Sequence, residues 1–222
     1  MSPAPTTPGG AGAAPRATAD GPRAPRGGAR RAHILEAALR IVAATGPDAL
    51  THRGVAEEAG VPLAATTYWF ASKEQLVAEA YALAAERDVA RIAEVAIALE
   101  RDGVDSGDDL AARLAALTAR ELHGERGGLI AGYALCLEAA RRPALRVISQ
   151  AWTDAYLGLA AAMMSAAGSA DPALDARLLV AALDGLLLEQ LARDVPDFEA
   201  TVMRPALERL IGALLAARPP GS

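Results

Sequence analysis

Apolar residues recur every three or four positions along most of the chain, which is the spacing of an amphipathic helix. Glycine, proline and N-cap residues interrupt this spacing at regular points, as at Gly46-Pro47 and Asp171-Pro172. The pattern predicts an all-α fold of about nine helices, spanning approximately 29–45, 52–59, 63–70, 73–100, 108–122, 129–141, 143–167, 172–193 and 197–217. A polar, glycine-rich break is expected at 123–128.

Two short helices joined by a tight turn are predicted between residues 51 and 70. Thr51 is a good N-cap for the first, and Gly60 can end it because glycine accepts the left-handed conformation. Pro62 lies where the second begins. Ser72 and Gln75 then form a capping box for a further helix. Two short helices with a glycine-containing turn describe a helix-turn-helix.

The helix that starts at Lys73 is unusually long, because nothing interrupts it before Asp102-Gly103. At 1.5 Å per residue it spans roughly 40 Å. A helix of this length cannot belong wholly to a small three-helix head. It is therefore predicted to join the head to the rest of the chain.

The last two helices are rich in leucine, and the helix over 172–193 is apolar nearly all the way round. Such a helix needs cover on every face. We expect the two helices to pair with their copies in a homodimer, although the 178–191 stretch could also be the centre of a monomer. Pro205 should kink the last helix or split off its first turn. The predicted interface residues are Leu179, Leu183, Leu186, Leu187, Leu207, Leu210, Ile211 and Leu214.

Composition agrees with close-packed helices, since 52% of the residues are hydrophobic and only 4% are aromatic. The net charge of −5 argues against non-specific coating of nucleic acid, but residues 1–31 hold five arginines and one aspartate. Residues 1–28 are predicted to be a disordered basic tail, either solvated or able to reach DNA. A single cysteine and the lack of a membrane-spanning or signal-peptide pattern predict a soluble, cytoplasmic protein.

The order and spacing over Ile34–Leu76 resemble the TetR (tetracycline repressor) family of bacterial transcriptional regulators. The resemblance rests on Ile-Leu-Glu-Ala-Ala, Val-Ala-Glu-Glu-Ala-Gly-Val, a threonine-aromatic block ending in phenylalanine, and Ser-Lys-Glu-Gln-Leu. It implies a helix-turn-helix DNA-binding domain at 29–76 and a helical ligand-binding and dimerisation domain at 77–218. In this family the third helix enters the major groove. The implied DNA-binding residues are Thr51, His52, Arg53, Leu63, Ala64, Ala65, Thr67, Tyr68, Trp69 and Lys73.

The recognition helix departs from the common family pattern, because Pro62-Leu63-Ala64-Ala65 contains no side chain that can donate to bases. Readout should then rely on thymine methyls, on Thr66 or Thr67, and on DNA shape. Phe70 is expected in the core of the head. Trp69 is equally suited to the core or to a phosphate contact.

Bulky residues in the otherwise alanine- and leucine-rich C-terminal part suggest a small-molecule pocket. The candidates, each also suited to a plain core role, are Tyr81, Tyr133, Cys136, Trp152, Tyr156, Met163 and Met164. The expected effector is apolar or amphipathic. Glu138 could pair with a cationic ligand or face solvent.

Nothing in the sequence indicates catalysis, a metal or a cofactor, since phosphate-loop, zinc and nucleophile motifs are missing. The predicted function is a homodimeric regulator that a small effector releases from a palindromic DNA operator. It is predicted to be a repressor, because repression is the commoner activity in the family that the chain resembles. The alternatives are an all-helical carrier or enzyme, or a helical partner-binding protein, in which the head is only an interaction module.

Overall fold

The computed structural model describes residues 26–124 and 126–217, and it confirms the all-α architecture over these residues. Two short 3₁₀ turns, Pro47–Ala49 and Pro143–Leu145, and one π-helical turn, Glu199–Met203, accompany the α-helices. The helices are α1 (Arg26–Thr45), α2 (His52–Glu58), α3 (Leu63–Trp69), α4 (Lys73–Asp102), α5 (Gly107–Gly124), α6 (Arg126–Arg141), α7 (Arg146–Ala166), α8 (Pro172–Arg193) and α9 (Arg204–Ala216).

The predicted caps form as expected. The side chains of Thr51, Ser72 and Asp171 each accept a hydrogen bond from a backbone N–H in the first turn of α2, α4 and α8. Gly60 has a φ of 63°, the left-handed conformation that ends α2. These local signals place the helix starts because a cap needs only residues that are neighbours in the sequence.

Several helix boundaries differ from the prediction. Helix α7 begins at Arg146 instead of near 143, and α9 begins at Arg204 instead of near 197. Helix α1 begins at Arg26, three residues before the expected start, and the remainder of the predicted tail, residues 1–25, lies outside the described residues. The expected break at 123–128 is almost closed, because α5 runs to Gly124 and α6 begins at Arg126. A Cβ on Gly127 would lie 3.4 Å from the Cβ of Ala43. This glycine therefore permits close packing of α6 on α1 instead of marking a loop.

Pro205 coincides with a change of helix type instead of a separate first turn. The π-helical turn Glu199–Met203 runs directly into α9, and Pro205 lies in the first turn of α9. Proline has no N–H to donate to the preceding turn, so the regular hydrogen bonding is interrupted there.

The apolar interior is divided into two clusters. The head core is formed by α1, α2, α3, the beginning of α4, α6 and the Pro143–Leu145 turn, and it includes Phe70 as predicted. The body core is formed by the end of α4 together with α5, α7, α8 and α9. Helix α4 has 30 residues, or about 45 Å. It contributes to both cores, as the prediction of a joining helix required.

The apolar residues predicted for the dimer interface are mostly buried within the protomer. Five of them belong to the body core, namely Leu179 and Leu187 of α8 and Leu207, Ile211 and Leu214 of α9. Because α8 packs on α7 and α9 packs on α5, these five side chains have little or no surface left for a partner. The prediction is corrected for them.

The remaining three predicted interface residues, Leu183, Leu186 and Leu210, are half-buried. The large apolar side chains that α8 does expose are different ones. Leu174, Leu178 and Leu188 are 51%, 45% and 47% exposed. With the exposed Ala181 and Gly185 they form a stripe at spacings of three and four residues along one side of α8. We call these five residues the α8 stripe.

Candidate functional site

The helix-turn-helix is held together by the hydroxyl groups of two threonines. Thr51 Oγ1 accepts from the Gly54 N–H at 3.0 Å. Thr66 is 0% exposed, and its Oγ1 donates to the Leu63 carbonyl oxygen at 2.8 Å and lies 3.4 Å from the His52 carbonyl oxygen. Thr66 therefore faces α2, and the expectation that it could contact bases is wrong.

The outer side of α3 exposes four of its six residues that are predicted to meet DNA. Tyr68 and Leu63 are 78% and 43% exposed, and Ala64 and Thr67 are exposed as well. Ala65 is half-buried and packs against the head core. This face is apolar apart from two hydroxyl groups, as the sequence suggested.

Trp69 lies between its two suggested roles. It is half-buried and packs against the head core, and its ring meets the ring of Tyr68 edge-on at 5.0 Å. Such a contact holds the exposed tyrosine in place on the α3 surface.

The predicted residues outside α3 have different surroundings. Arg53 is exposed, whereas His52 is half-buried and its Nδ1 is a buried atom without a hydrogen-bond partner. Lys73, at the start of α4, donates from Nζ to the Asp48 carbonyl oxygen at 2.7 Å. This bond connects the start of α4 to the 3₁₀ turn that precedes the helix-turn-helix.

A second group of polar side chains lies where α4, α5 and α7 meet. It consists of Asp88 and Arg91 of α4, Glu121 of α5, and Trp152 and Tyr156 of α7, and we call it the polar cluster. Arg91 donates to Asp88 and to Glu121 in close ion pairs, and its Nη2 lies 3.0 Å from the Tyr156 oxygen. Tyr156 and Trp152 both donate to Asp88 Oδ2, the former at 2.6 Å.

Burial perturbs the titration of this cluster. Desolvation raises the pKa of the Glu121 carboxyl, and the charge of Arg91 opposes this only in part. Burial likewise raises the pKa of the Tyr156 hydroxyl, with Asp88 and Glu121 adding to the effect. A carboxylate that is costly to keep charged favours a nearby cation.

Tyr133 extends this region toward α8. Its hydroxyl donates to Asp184 Oδ1 at 3.1 Å, and its pKa is raised by burial and further by Asp184 and Glu121. Beside it on α6, a Cβ on Gly132 would lie 3.2 Å from the Trp152 ring, so the glycine makes room for the indole. Gly132 thus brings the Trp152 ring against α6 next to Tyr133, and Trp152 and Tyr156 share Asp88. The role of these three residues as ligand contacts stays a prediction.

The other candidates for the pocket lie elsewhere. Tyr81 is completely buried in the head core, where its hydroxyl has no hydrogen-bond partner and burial raises its pKa to about 12. Met163 and Met164 are buried in the body core. Cys136 is exposed, with Ser149 Oγ 3.8 Å from its sulfur.

Glu138 is not available to a cationic ligand. It is buried, and Arg142 Nε and Arg141 Nη1 lie 2.9 and 3.3 Å from its carboxylate. Neither suggested role, ligand contact or solvated side chain, fits this position.

Sequence reasoning missed the acidic and basic members of the polar cluster. Asp88 and Arg91 are three residues apart on α4 and therefore share one side of it, but nothing in the sequence shows that this side meets α5 and α7. Across the part of the chain that the structure describes, there is no group of three or more metal-ligating side chains. Nor is any described helix long and apolar enough to cross a membrane.

Comparison with known proteins identifies two matching family models. Residues 34–80 match the model of bacterial regulatory proteins of the tetR family, and residues 105–216 match the tetracyclin repressor-like C-terminal domain. The HTH-type transcriptional regulator PksA of Bacillus subtilis (strain 168) is 34% identical over 68 residues. That match covers 31% of this chain and 33% of PksA.

Solved structures resemble the chain over most of its length. A TetR-family member from Streptomyces coelicolor A3 is 39% identical and superposes with a TM-score of 0.66, covering 82% of this chain and 97% of that one. The multidrug binding protein EbrR, complexed with proflavin, is 40% identical with a TM-score of 0.59, covering 82% of this chain and 99% of EbrR. Its ethidium complex has a TM-score of 0.63 at 39% identity, covering 82% of this chain and 98% of EbrR. The helix-turn-helix geometry, the two domain matches and these near full-length likenesses all agree. The chain therefore belongs to the TetR family of bacterial transcriptional regulators.

Proposed function

We propose that this regulator is a homodimeric repressor that lipophilic aromatic cations release from a palindromic operator. The observation that favours this function most is the polar cluster, which places two carboxylates and two aromatic rings against the helix that joins the head to the body. The division into a DNA-binding part at 29–76 and a ligand-binding and dimerisation part at 77–218 belongs to the same proposal, as does a cytoplasmic location.

The exposed side of α3 supports DNA binding through the major groove. Leu63, Ala64 and Thr67 offer apolar and methyl contacts suited to thymine, and Tyr68 projects far enough to reach the sugar-phosphate backbone. Arg53 and Lys73 flank this face and supply the positive charge that phosphates attract. The other predicted DNA-binding residues position α3 and make little contact with DNA themselves. They are Thr51, His52, Ala65 and Trp69.

The α8 stripe supports dimerisation. Beside it lies an open apolar groove of about 370 Å³ between α8 and α9. The groove is lined by Ala181, Ala182, Gly185, Leu186, Ala206, Leu207 and Leu210. In a two-fold dimer, a leucine such as Leu178 or Leu188 of each copy would enter the groove of the other. Exposed apolar surface next to a matching groove is typical of such self-complementary interfaces.

The polar cluster supports a cationic aromatic effector. Two carboxylates, Asp88 and Glu121, form ion pairs with a single guanidinium, Arg91, and the positive charge of Arg120 acts on Glu121 without an ion pair in the cluster. Trp152, Tyr156 and Tyr133 add aromatic surface, on which cations bind favourably. The relative EbrR has been crystallised with proflavin, ethidium and malachite green, which are planar or near-planar aromatic cations. We extend that ligand class to this chain.

The response would pass through α4 and α6. Asp88 and Arg91 are on α4, the helix that starts beside the head at Lys73 and packs on α1. Helix α6 also packs on both α1 and α4. The two recognition helices must lie about 34–36 Å apart to match one helical turn of DNA. An effector that binds more tightly to an arrangement of α4 and α6 with a different separation therefore weakens DNA binding.

Genomic footprinting with and without malachite green tests the proposal, since ethidium and proflavin themselves intercalate into DNA. We expect protection of a two-fold symmetric site that malachite green removes, and a DNA affinity that falls steeply with salt. A chain that binds malachite green but protects no site at any salt concentration would instead be a carrier, with the head as an interaction module.

A further inference from the structure

The guanidinium of Arg91 uses all three of its nitrogens inside the polar cluster. Nε lies 3.0 Å from Asp88 Oδ1, Nη1 pairs with Glu121, and Nη2 pairs with Asp88 and lies 3.0 Å from the Tyr156 hydroxyl oxygen. The planar, positively charged group is therefore surrounded by two carboxylates and an aromatic side chain. Two carboxylates and a hydroxyl oxygen are surroundings that stabilise a cation through charge and hydrogen bonds.

The carboxylates of the cluster need this positive charge. The Glu121 side chain is only 10% exposed, and that of Asp88 is 17% exposed. A carboxylate at such depth is costly unless it is paired. Trp152 and Tyr156 bond Asp88 but are neutral donors, so Arg91 supplies the compensating charge.

Arg91 nevertheless has a route to solvent. Its side chain is 29% exposed, more than either carboxylate that it pairs with. Arginine has a long, flexible stem, so its charged end can leave a pocket while its backbone stays within the helix. Of the three charged groups of the cluster, Arg91 is thus the one most open to solvent.

We propose that Arg91 is an internal competitor of the effector, a guanidinium that occupies the cation site in the free protein and is displaced when an aromatic cation binds. This inference rests on the proposed ligand class. It assigns to Arg91 two consequences: a reduced affinity for cationic ligands, and a change at α4 on binding, because the displaced side chain is attached to the helix that reaches the DNA-binding head.

The inference is tested by measuring how tightly purified full-length variants bind ethidium and proflavin, using the fluorescence of the dyes. The uncharged tricyclic molecule 9-anthracenemethanol serves as the neutral probe. Arg91→Gln should bind both cations at least about tenfold more tightly, because one unit charge within a few ångströms at an effective dielectric constant of about 20 changes affinity by that much or more. The affinity for the neutral probe should change by less than about twofold, because the charge of Arg91 hardly affects the binding of an uncharged molecule.

Two variants control for charge and folding. Arg101→Gln removes an exposed arginine of the same helix that pairs only with its neighbour Asp102, and it should leave all three affinities unchanged. If Arg91→Gln fails to fold, Asp88→Asn with Arg91→Gln removes one charge of each sign and leaves Glu121 to bind the dye without a competing guanidinium, so tightening of the same direction but smaller size is expected.

A second measurement follows the effect on DNA. At saturating malachite green, the Arg91→Gln protein should release operator DNA less completely than the unaltered protein, because no side chain of α4 is displaced. Equal or weaker dye binding by Arg91→Gln would refute the inference while leaving the ligand class intact. Tight binding by the variant alone would support competition. Failure of both proteins to bind either dye would refute the inference together with the proposed ligand class.

Discussion

Thr66 and Thr67 are adjacent in the sequence, and the structure assigns them opposite roles. Thr66 is buried against α2 with its hydroxyl donating to the Leu63 carbonyl oxygen at 2.8 Å, while Thr67 is exposed and lies 3.3 and 3.4 Å from the Ala64 and Leu63 carbonyl oxygens. Replacing each with valine removes one hydroxyl and keeps the shape of the side chain. The pair therefore separates the stability of the head from its contact with DNA.

The magnitude for Thr66→Val comes from the buried hydrogen bond. A bond of this kind contributes about 1 kcal/mol, and for a protein of this size 1 kcal/mol shifts Tm by about 2–4 °C. We expect Tm to fall by that amount and DNA affinity at low temperature to stay within about twofold, since only the stability is altered. Thr67→Val should leave the free energy of unfolding within about 0.5 kcal/mol, as exposed substitutions usually do, but weaken binding to the operator.

Thermal unfolding followed by circular dichroism and fluorescence anisotropy of labelled operator DNA measure the two quantities. The decisive comparison is between the two variants in the same buffer. If Thr66→Val kept its Tm and lost DNA binding, the Thr66 hydroxyl would face the DNA, and the orientation of α3 described above would be incorrect.

Three further predictions test other parts of the molecule. Lys73→Ala should weaken binding to all DNA sequences about equally and flatten the salt dependence by about one unit, as removal of one phosphate contact requires; unchanged salt dependence would mean that Lys73 serves only its bond to Asp48. Leu178→Glu should convert the dimer to monomers in analytical ultracentrifugation, since it puts like charges into an apolar interface, whereas Ile97→Glu, at an exposed position of α4, should not. Affinity for ethidium should decline as pH falls through the raised pKa of Glu121, because only the ionised carboxylate attracts the cation, and Glu121→Gln should abolish this decline; a pH profile identical in the variant would assign the effect to another group.

The proposed ligand region shows which contacts can be predicted from residue spacing and which cannot. Trp152 and Tyr156 are four positions apart, so their common side of α7 followed from helix geometry alone, and both contact Asp88. Asp88 and Arg91 were not predicted, because a charged pair on a helix surface is usually solvated. Only the packing of α7 on that side of α4, together with the contact from Glu121 of α5, makes them a half-buried pair.

The sequence by itself determined the all-α architecture, the helix-turn-helix and most helix ends. These depend on interactions within four or five residues, such as the cap at Thr51 and the left-handed turn at Gly60, and the chain encodes them directly. The tertiary structure alone decided which side of each apolar helix is buried. On α8, Leu178 and Leu179 are equally apolar neighbours, yet Leu179 is in the body core and Leu178 is exposed. A helix that is apolar nearly all round has no preferred side, so its orientation is set by the shape and packing of α7 against it.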